Sequence, residues 1–442
     1  MLRLPFLATL LAALAPCAGA VDVATCEEFA AVDRKVETEV TITNADMACD
    51  EYTRLSIRTD MVLKSSVGKV TFTNFALKVY ESLTVEPDVV FTGVTLVTSN
   101  GGALKVELGA VGVFQGTAEF IGNSVISRDV NQSSEEEVTR KGGAIHNKSL
   151  TVEPDVVFTG VTLVTKNGGA LSLELGAVGV FKGTAEFIGN SIMPTDVDPS
   201  TEDEMKHKGG AIHNKGDLTF EKDATFTGNL NDRLYYGSGP GGAISVHVKG
   251  RIHFMGKLVM TDNKADDYYG GALGGAIFNK GDITVDGEAE FAENTGGRGG
   301  AIYQEKWATI TFNDFVTFTS NKCYDTYGGT VANIGGDITA KAGSLWFGGF
   351  AENSGDGGLG GAIYNYNGGV IELEGETTFR ENYGFYGGAI FNDASASSAF
   401  SEDDEKYSMP IIQYPADTVF EDNYGEYCND FATERDQDTC GL

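Results

Sequence analysis

The groups with which this chain could do chemistry are five histidines, six cysteines and several acidic runs. The histidines are His146, His207, His213, His247 and His253. Zinc needs His or Cys ligands at short, fixed spacings, and none of the five has that spacing. His146 and His213 occupy the same Gly-Gly-Ala-Ile-His-Asn context, so they read as structural repeats rather than as one site. Asp196-Val197-Asp198-Pro199-Ser200 mimics the start of an EF-hand loop. It fails as one, because Thr201 stands where the sharp turn needs Gly and His207 where a bidentate Glu is needed. Asp266-Asp267 precedes Tyr268-Tyr269, and Asp403-Asp404 sits in the acidic run 401–405; both read as solvated charge. No Gly-x-Ser-x-Gly elbow and no phosphate loop occurs. No catalytic, cofactor-binding or metal-ligating residue is therefore assigned, and the chain is expected to be no enzyme and to carry no cofactor. Its acidic loops are expected to bind divalent cations weakly at most.

Any such residue must be held by repeated elements. Residues 82–124 and 149–191 match at an offset of 67, and only four of their 43 positions differ. Between Phe-x-x-Asn and Gly-Gly each copy carries an insertion, 125–141 and 192–208, in which only 6 of 17 positions agree. The framework is fixed while these loops drifted, as exposed loops do. A shorter repeat runs beneath. Gly-Gly-Ala-Ile or Gly-Gly-Ala-Leu starts at Gly101, Gly142, Gly168, Gly209, Gly241, Gly270, Gly274, Gly299, Gly360 and Gly387, with a degenerate copy at Gly328. Phe-x-x-Asn lies upstream of most copies, at Phe120, Phe187, Phe226, Phe291, Phe318, Phe350 and Phe379, and once more at Phe420.

One unit, Gly274 to Arg298, shows the physics. Ala276-Ile277-Phe278 is a short strand and Asn279-Lys280-Gly281 a turn. Asp282-Ile283-Thr284-Val285 alternates polar and apolar as a second strand, and Ala289-Glu290-Phe291 begins a third. Asn294 falls at the next turn, where its amide can bond backbone or an Asn of the next coil. One coil cannot bury its apolar side chains alone, but stacked coils can. The sequence thus predicts an all-β parallel β-helix of about a dozen coils, on the order of 60 Å long at strand spacing. It predicts an N-terminal cap over 21–60, repeats over 61–425 and a polar tail over 426–442. Thr25-Cys26-Glu27-Glu28 matches a capping box, so a short helix is expected in the cap.

The recurring GGA[IL] and FxxN motifs, over roughly residues 72–423, resemble the polymorphic outer membrane protein repeats of chlamydial adhesins. That resemblance implies a right-handed parallel β-helix of the pectin-lyase type and an adhesin role. No translocating barrel of alternating strands is legible after Asn423, so the chain is expected to be a passenger without that anchor.

Residues 1–20 read as a secretory signal: Arg3, the apolar run Leu4 to Leu14, then the Ala18-Gly19-Ala20 cleavage site. The mature protein is expected to be secreted, extracellular or at the cell surface, with no transmembrane segment. Cleavage leaves five cysteines. Cys26 with Cys49 and Cys428 with Cys440 would each close a short loop, leaving Cys323 as a buried thiol. Asn131-Gln132-Ser133 and Asn147-Lys148-Ser149 are glycosylation sequons. A net charge of −31 argues against nucleic acid as a partner. The expected partner is an extracellular protein or glycan, bound by a non-catalytic scaffold through exposed loops. The alternatives are a polysaccharide lyase or hydrolase on the same fold, and an acidic cation-binding matrix protein.

Overall fold

The computed structural model describes residues 20–32, 38–96, 102–107, 109–125, 144–153, 155–164, 168–193, 208–233, 239–267, 271–325, 327–351, 358–393 and 409–433. These residues build a parallel β-helix. The unit read above becomes four strands rather than three: Ile277–Asn279, Asp282–Val285, Ala289–Ala292 and the two-residue Thr295–Gly296. Each pairs in parallel with its counterpart one coil before and one coil after. The first three strand positions merge into one 36-stranded sheet, and the short fourth strands form a separate 9-stranded sheet.

Alternation decides what enters the core. In Asp282–Val285, Ile283 and Val285 are buried while Asp282 is exposed. Phenylalanines in register stack up the interior: Phe91, Phe120, Phe158, Phe187 and Phe226 succeed one another at centroid spacings of 5.4, 4.9, 4.7 and 4.7 Å. Met260 takes the next place and Phe291 follows it. The Gly pair makes the corner for two separate reasons. Gly274 has φ +67°, which favours glycine, and a Cβ on Gly275 would lie 2.0 Å from the Gly300 carbonyl of the next coil.

Two motif copies do not behave as the repeat predicts. Gly271-Ala272-Leu273 makes no corner; Leu273 bridges Pro240 and Arg298, the position just before the corner. The Phe-x-x-Asn read at Phe350 is out of register. Trp346 pairs with Phe318 and with Phe379, so Trp346 and Gly349 fill the Phe and Asn places of that coil. Asn353 lies outside the described residues.

The N-terminal end is closed by the expected helix, Cys26–Ala31, with a complete Thr25/Glu28 capping box. Phe29 is fully buried, 5.1 Å from Phe75, and Cys26 is disulfide-bonded to Cys49. Parallel pairing already starts within the 21–60 cap region, where Ala20–Val23 pairs with Thr38–Ile42. Cys428 is disulfide-bonded; Cys440, its expected partner, lies outside the described residues. Cys323 is free and buried, and burial pushes its thiol up to about 12. Residues 1–19, the first sequon at Asn131 and the acidic run 401–405 lie outside the described residues. No helix among those described is long and apolar enough to cross a membrane.

Candidate functional site

The first strand of each coil turns alternate side chains out of the core, and stacking lines them up in three lanes along one face. The middle lane is set by strand register: His213, Ser245, Phe278, Tyr303, Ala332, Tyr364. One flanking lane lies just before the glycine corner, where Lys208, Leu273, Arg298, Tyr327, Leu359 and Tyr386 each give a carbonyl to the corner of the previous coil. The other lies at the turn after the strand: Lys215, His247, Lys280, Glu305, Ile334, Tyr366. The outward residues Phe278, Tyr303, Tyr364 and Phe391 form a second apolar cluster, separate from the interior.

In the C-terminal half of this face the lanes enclose a cleft of about 290 Å³ lined by Arg298, Tyr303, Tyr327, Ile334, Tyr364, Tyr366 and Asp393. Its floor is fixed by hydrogen bonds and ring contacts. The Tyr364 hydroxyl donates to Asp393 Oδ2 at 3.0 Å. The Tyr327 and Tyr364 rings are 4.9 Å apart. Arg298 Nε donates to Asp325 Oδ2 at 3.1 Å, and its guanidinium lies 4.9 Å from the Tyr327 ring centre. Burial holds the Tyr303 phenol up at about 12, with Glu305 adding to it. Burial, then the Asp393 charge and hydrogen bond, raise Tyr364 well above the phenol range. Both phenols are therefore neutral hydroxyls near pH 7. Burial works against the Arg298 charge, but the Asp325 carboxylate outweighs it and raises its pKa.

Tyr303 and Tyr364 are buried, whereas Tyr327 and Tyr366 are half-exposed and offer ring surface at the mouth. Trp307 lies near the cleft: it is 74% exposed and its backbone N–H donates to the Gly335 carbonyl at 3.0 Å, next to Ile334. Its φ is +64°, a conformation that costs a non-glycine residue about 1 kcal/mol or more. In sequence, the insertions 126–141, 194–207, 234–238, 268–270 and 352–357 each come after a short fourth strand and before a first strand that contributes to this face.

The residues singled out in the sequence scatter. His146 and His213 are buried in the middle lane, two coils apart. His253 is on a different face, 2.7 Å from Asp286. His207 and Asp403-Asp404 lie outside the described residues. Asp266 pairs with Lys264 at 2.5 Å and sits in register with Asp232 on the fourth-strand sheet. Burial, then the Asp266 charge, raises the Asp232 carboxyl above its ordinary value. Asn147 of the second sequon is a fully buried strand residue whose amide donates to the Val178 carbonyl at 3.4 Å, so it offers no accessible glycan acceptor. No group of three or more His, Cys, Asp or Glu side chains that could hold a metal occurs among the described residues. The tyrosine cleft was missed by sequence reasoning, although a signal existed. The residue after Gly-Gly-Ala-Ile is His or Ser in the early copies and aromatic in the later ones, as at Phe278, Tyr303, Tyr364 and Phe391. Searches against protein-family models, curated proteins and solved structures return no match for this chain.

Proposed function

We propose that this chain is a secreted, non-catalytic β-helix scaffold that binds a glycan in the tyrosine cleft of its first-strand face. The observation that carries the reading is the cleft: four tyrosine rings around about 290 Å³, with an arginine and a carboxylate at its edge. A concave surface that combines aromatic rings with a few placed polar groups is what small-ligand sites are made of. Flat sugar faces stack on aromatic rings, while Arg298 and Asp393 supply a donor and an acceptor for hydroxyls. Because the drifted insertions lead in sequence into first strands of this face, loops are expected to contribute to the same surface. Kinship with the polymorphic outer membrane protein repeats, and the adhesin role it implies, belongs to this reading and is supported by the recurring motifs.

The test is binding of the secreted protein to a glycan array, with Tyr327→Ala and Tyr366→Ala alongside. Both rings are half-exposed, so each variant should melt close to wild type. Each should bind its glycan about tenfold more weakly. Glycan binding unchanged in both variants would remove the cleft as the site. Binding of proteins alone on a matching protein array would move the partner class.

The Asp232–Asp266 pair is the one observation among the described residues that favours a hydrolytic alternative, since a carboxyl whose pKa is raised by burial and by a neighbouring carboxylate is the raw material of acid–base catalysis. Release of reducing ends from a bound polysaccharide, lost in Asp232→Asn, would replace the scaffold reading by that one.

A further inference from the structure

We infer that the glycan bound on this face is acidic and extended, with its sulfate or carboxylate groups held by a cationic station that continues the tyrosine cleft towards the N-terminus. The inference rests on the glycan reading above and names the ligand class.

The chain as a whole carries a formal charge of −31. Yet the N-terminal half of the three lanes gathers Lys208, Lys215 and Lys280 around His247, with Lys249 beside them. Lys208 is in the lane before the corner; Lys215, His247 and Lys280 are consecutive in the lane after the strand. The cations lie close enough to oppose one another. Burial, then Lys280 and Lys215, lowers the Lys208 pKa. Burial, then Lys215, Lys208, Lys280 and Lys249, lowers that of His247. Such mutual repulsion is a standing cost in the free protein that a bound anion relieves.

No carboxylate is among the groups that shift Lys208 or His247. Lys280 pairs with Glu305 at 3.4 Å, and Glu174 stands beside Lys215 in the lane. Asp217 and Asp282 flank the next strand, and Arg251 lies between them at 3.9 and 3.6 Å. Two polar atoms on the same face point independently to a missing partner. Ser172, one coil before His213 in the middle lane, is fully buried and its hydroxyl has no hydrogen-bond partner. The buried Nδ1 of His247 has none either.

The station and the cleft share the same lanes. From Lys215 to Tyr366 is five coil steps, about 24 Å at strand spacing. A mono- or disaccharide cannot reach both ends. An extended chain can, with acidic groups over the lysines and ring faces over Tyr327 and Tyr366. Arg298 stands at the cleft's N-terminal edge, one coil before Tyr327.

The experiment is isothermal titration of the full secreted chain with a heparin-derived hexasaccharide, an uncharged β-linked glucose hexasaccharide and a single-stranded oligonucleotide of matched charge. Wild type should bind the sulfated sugar at least about tenfold more tightly than the neutral one, and the preference should shrink with added salt. Lys208→Gln/Lys280→Gln should erase that preference while leaving neutral-sugar binding intact. Lys208 is partly buried, so Lys249→Gln/Lys280→Gln is run in parallel, and thermal melting confirms folding of each. Equal affinity for sulfated and neutral sugars, with Tyr327→Ala still weakening both, would overturn the acidic ligand and leave the cleft reading standing. Oligonucleotide binding as tight as the sulfated sugar's would also overturn it, since the site would then read charge without sugar.

Discussion

Asn294 shows how much one side chain can hold in this fold. Its Nδ2 donates to the Met260 carbonyl at 2.9 Å and to Asn321 Oδ1 at 3.0 Å, while its Oδ1 accepts from both Asn263 nitrogens at 3.0 Å. Asn190, Asn229, Asn263, Asn294 and Asn321 repeat this in an unbroken buried ladder. The residue before each of the last three, Asp262, Glu293 and Ser320, is left-handed, which turns the amide into the stack. Asn294→Ala strands hydrogen-bonding groups on both neighbouring coils, Met260 and Asn263 on one side and Asn321 on the other, and should cost on the order of 2–4 kcal/mol in chemical unfolding. A loss below about 0.5 kcal/mol would mean that water replaces the ladder. Asp232→Asn should act the other way. A carboxyl whose native pKa is raised destabilises the fold once ionised, and that cost appears as pH rises from about 4 through the native value. The variant should therefore be slightly more stable at pH 7, by less than about 1 kcal/mol for this half-buried group, and indistinguishable from wild type near pH 3. Melting curves at the two pH values decide it.

At the scale of elements, the coil was legible because its period-2 burial and its glycine corner are both written in residue types. Ile283 and Val285 had to face inward, and Gly274 and Gly275 had to be glycine. What escaped were features that residue type does not encode. Thr295–Gly296 is too short a strand to leave an alternating pattern, so three strands were read where four stand. The extra Gly270-Gly271-Ala272-Leu273 matches the motif in letters, but the corner contacts are those of Gly274 and Gly275, and Leu273 takes the bridging position before them. Phe350 matches too, yet register gives its place to Trp346, because an aromatic stack 4.3 Å above Phe318 needs a ring at that height and not a particular ring. The cleft was missed because outward positions of a buried ladder carry no periodic constraint. Phe291 belongs to the constrained set: it is fully buried, 5.0 Å from Phe318. Phe291→Ala should cost about 3–5 kcal/mol, while Trp307→Ala, at an exposed turn, should change stability by less than about 0.5 kcal/mol. Equal costs for the two would sink the assignment of inside and outside.

For the whole molecule, the hydrogen-bonded ladders run past the long insertions without interruption. Ser124–Val125, Thr162–Val164 and Ser191–Met193 pair in sequence, and so do Ile145, Leu171 and Ile212 on the other side of the gap. Val125, Ile192 and Met193, read from sequence as loop residues, are strand residues, and Ile192 is fully buried. The dispensable segments are therefore 126–141 and 194–207. Coils of a solenoid are stabilised by their neighbours, and changing the length of a loop shifts closure entropy only slowly. Short Gly/Ser turns in place of both segments should leave the melting temperature within a few degrees of wild type. Glycan affinity should then divide the surface. Binding that persists in the deletion and falls in Tyr327→Ala puts recognition on the strand face. Binding that falls in the deletion puts it on the deleted segments. Calcium supplies a third comparison: if the acidic insertions bind it, adding calcium should raise the wild-type melting temperature by linkage, and the rise should vanish in the deletion. An equal rise in both proteins would place the cation elsewhere on the rod.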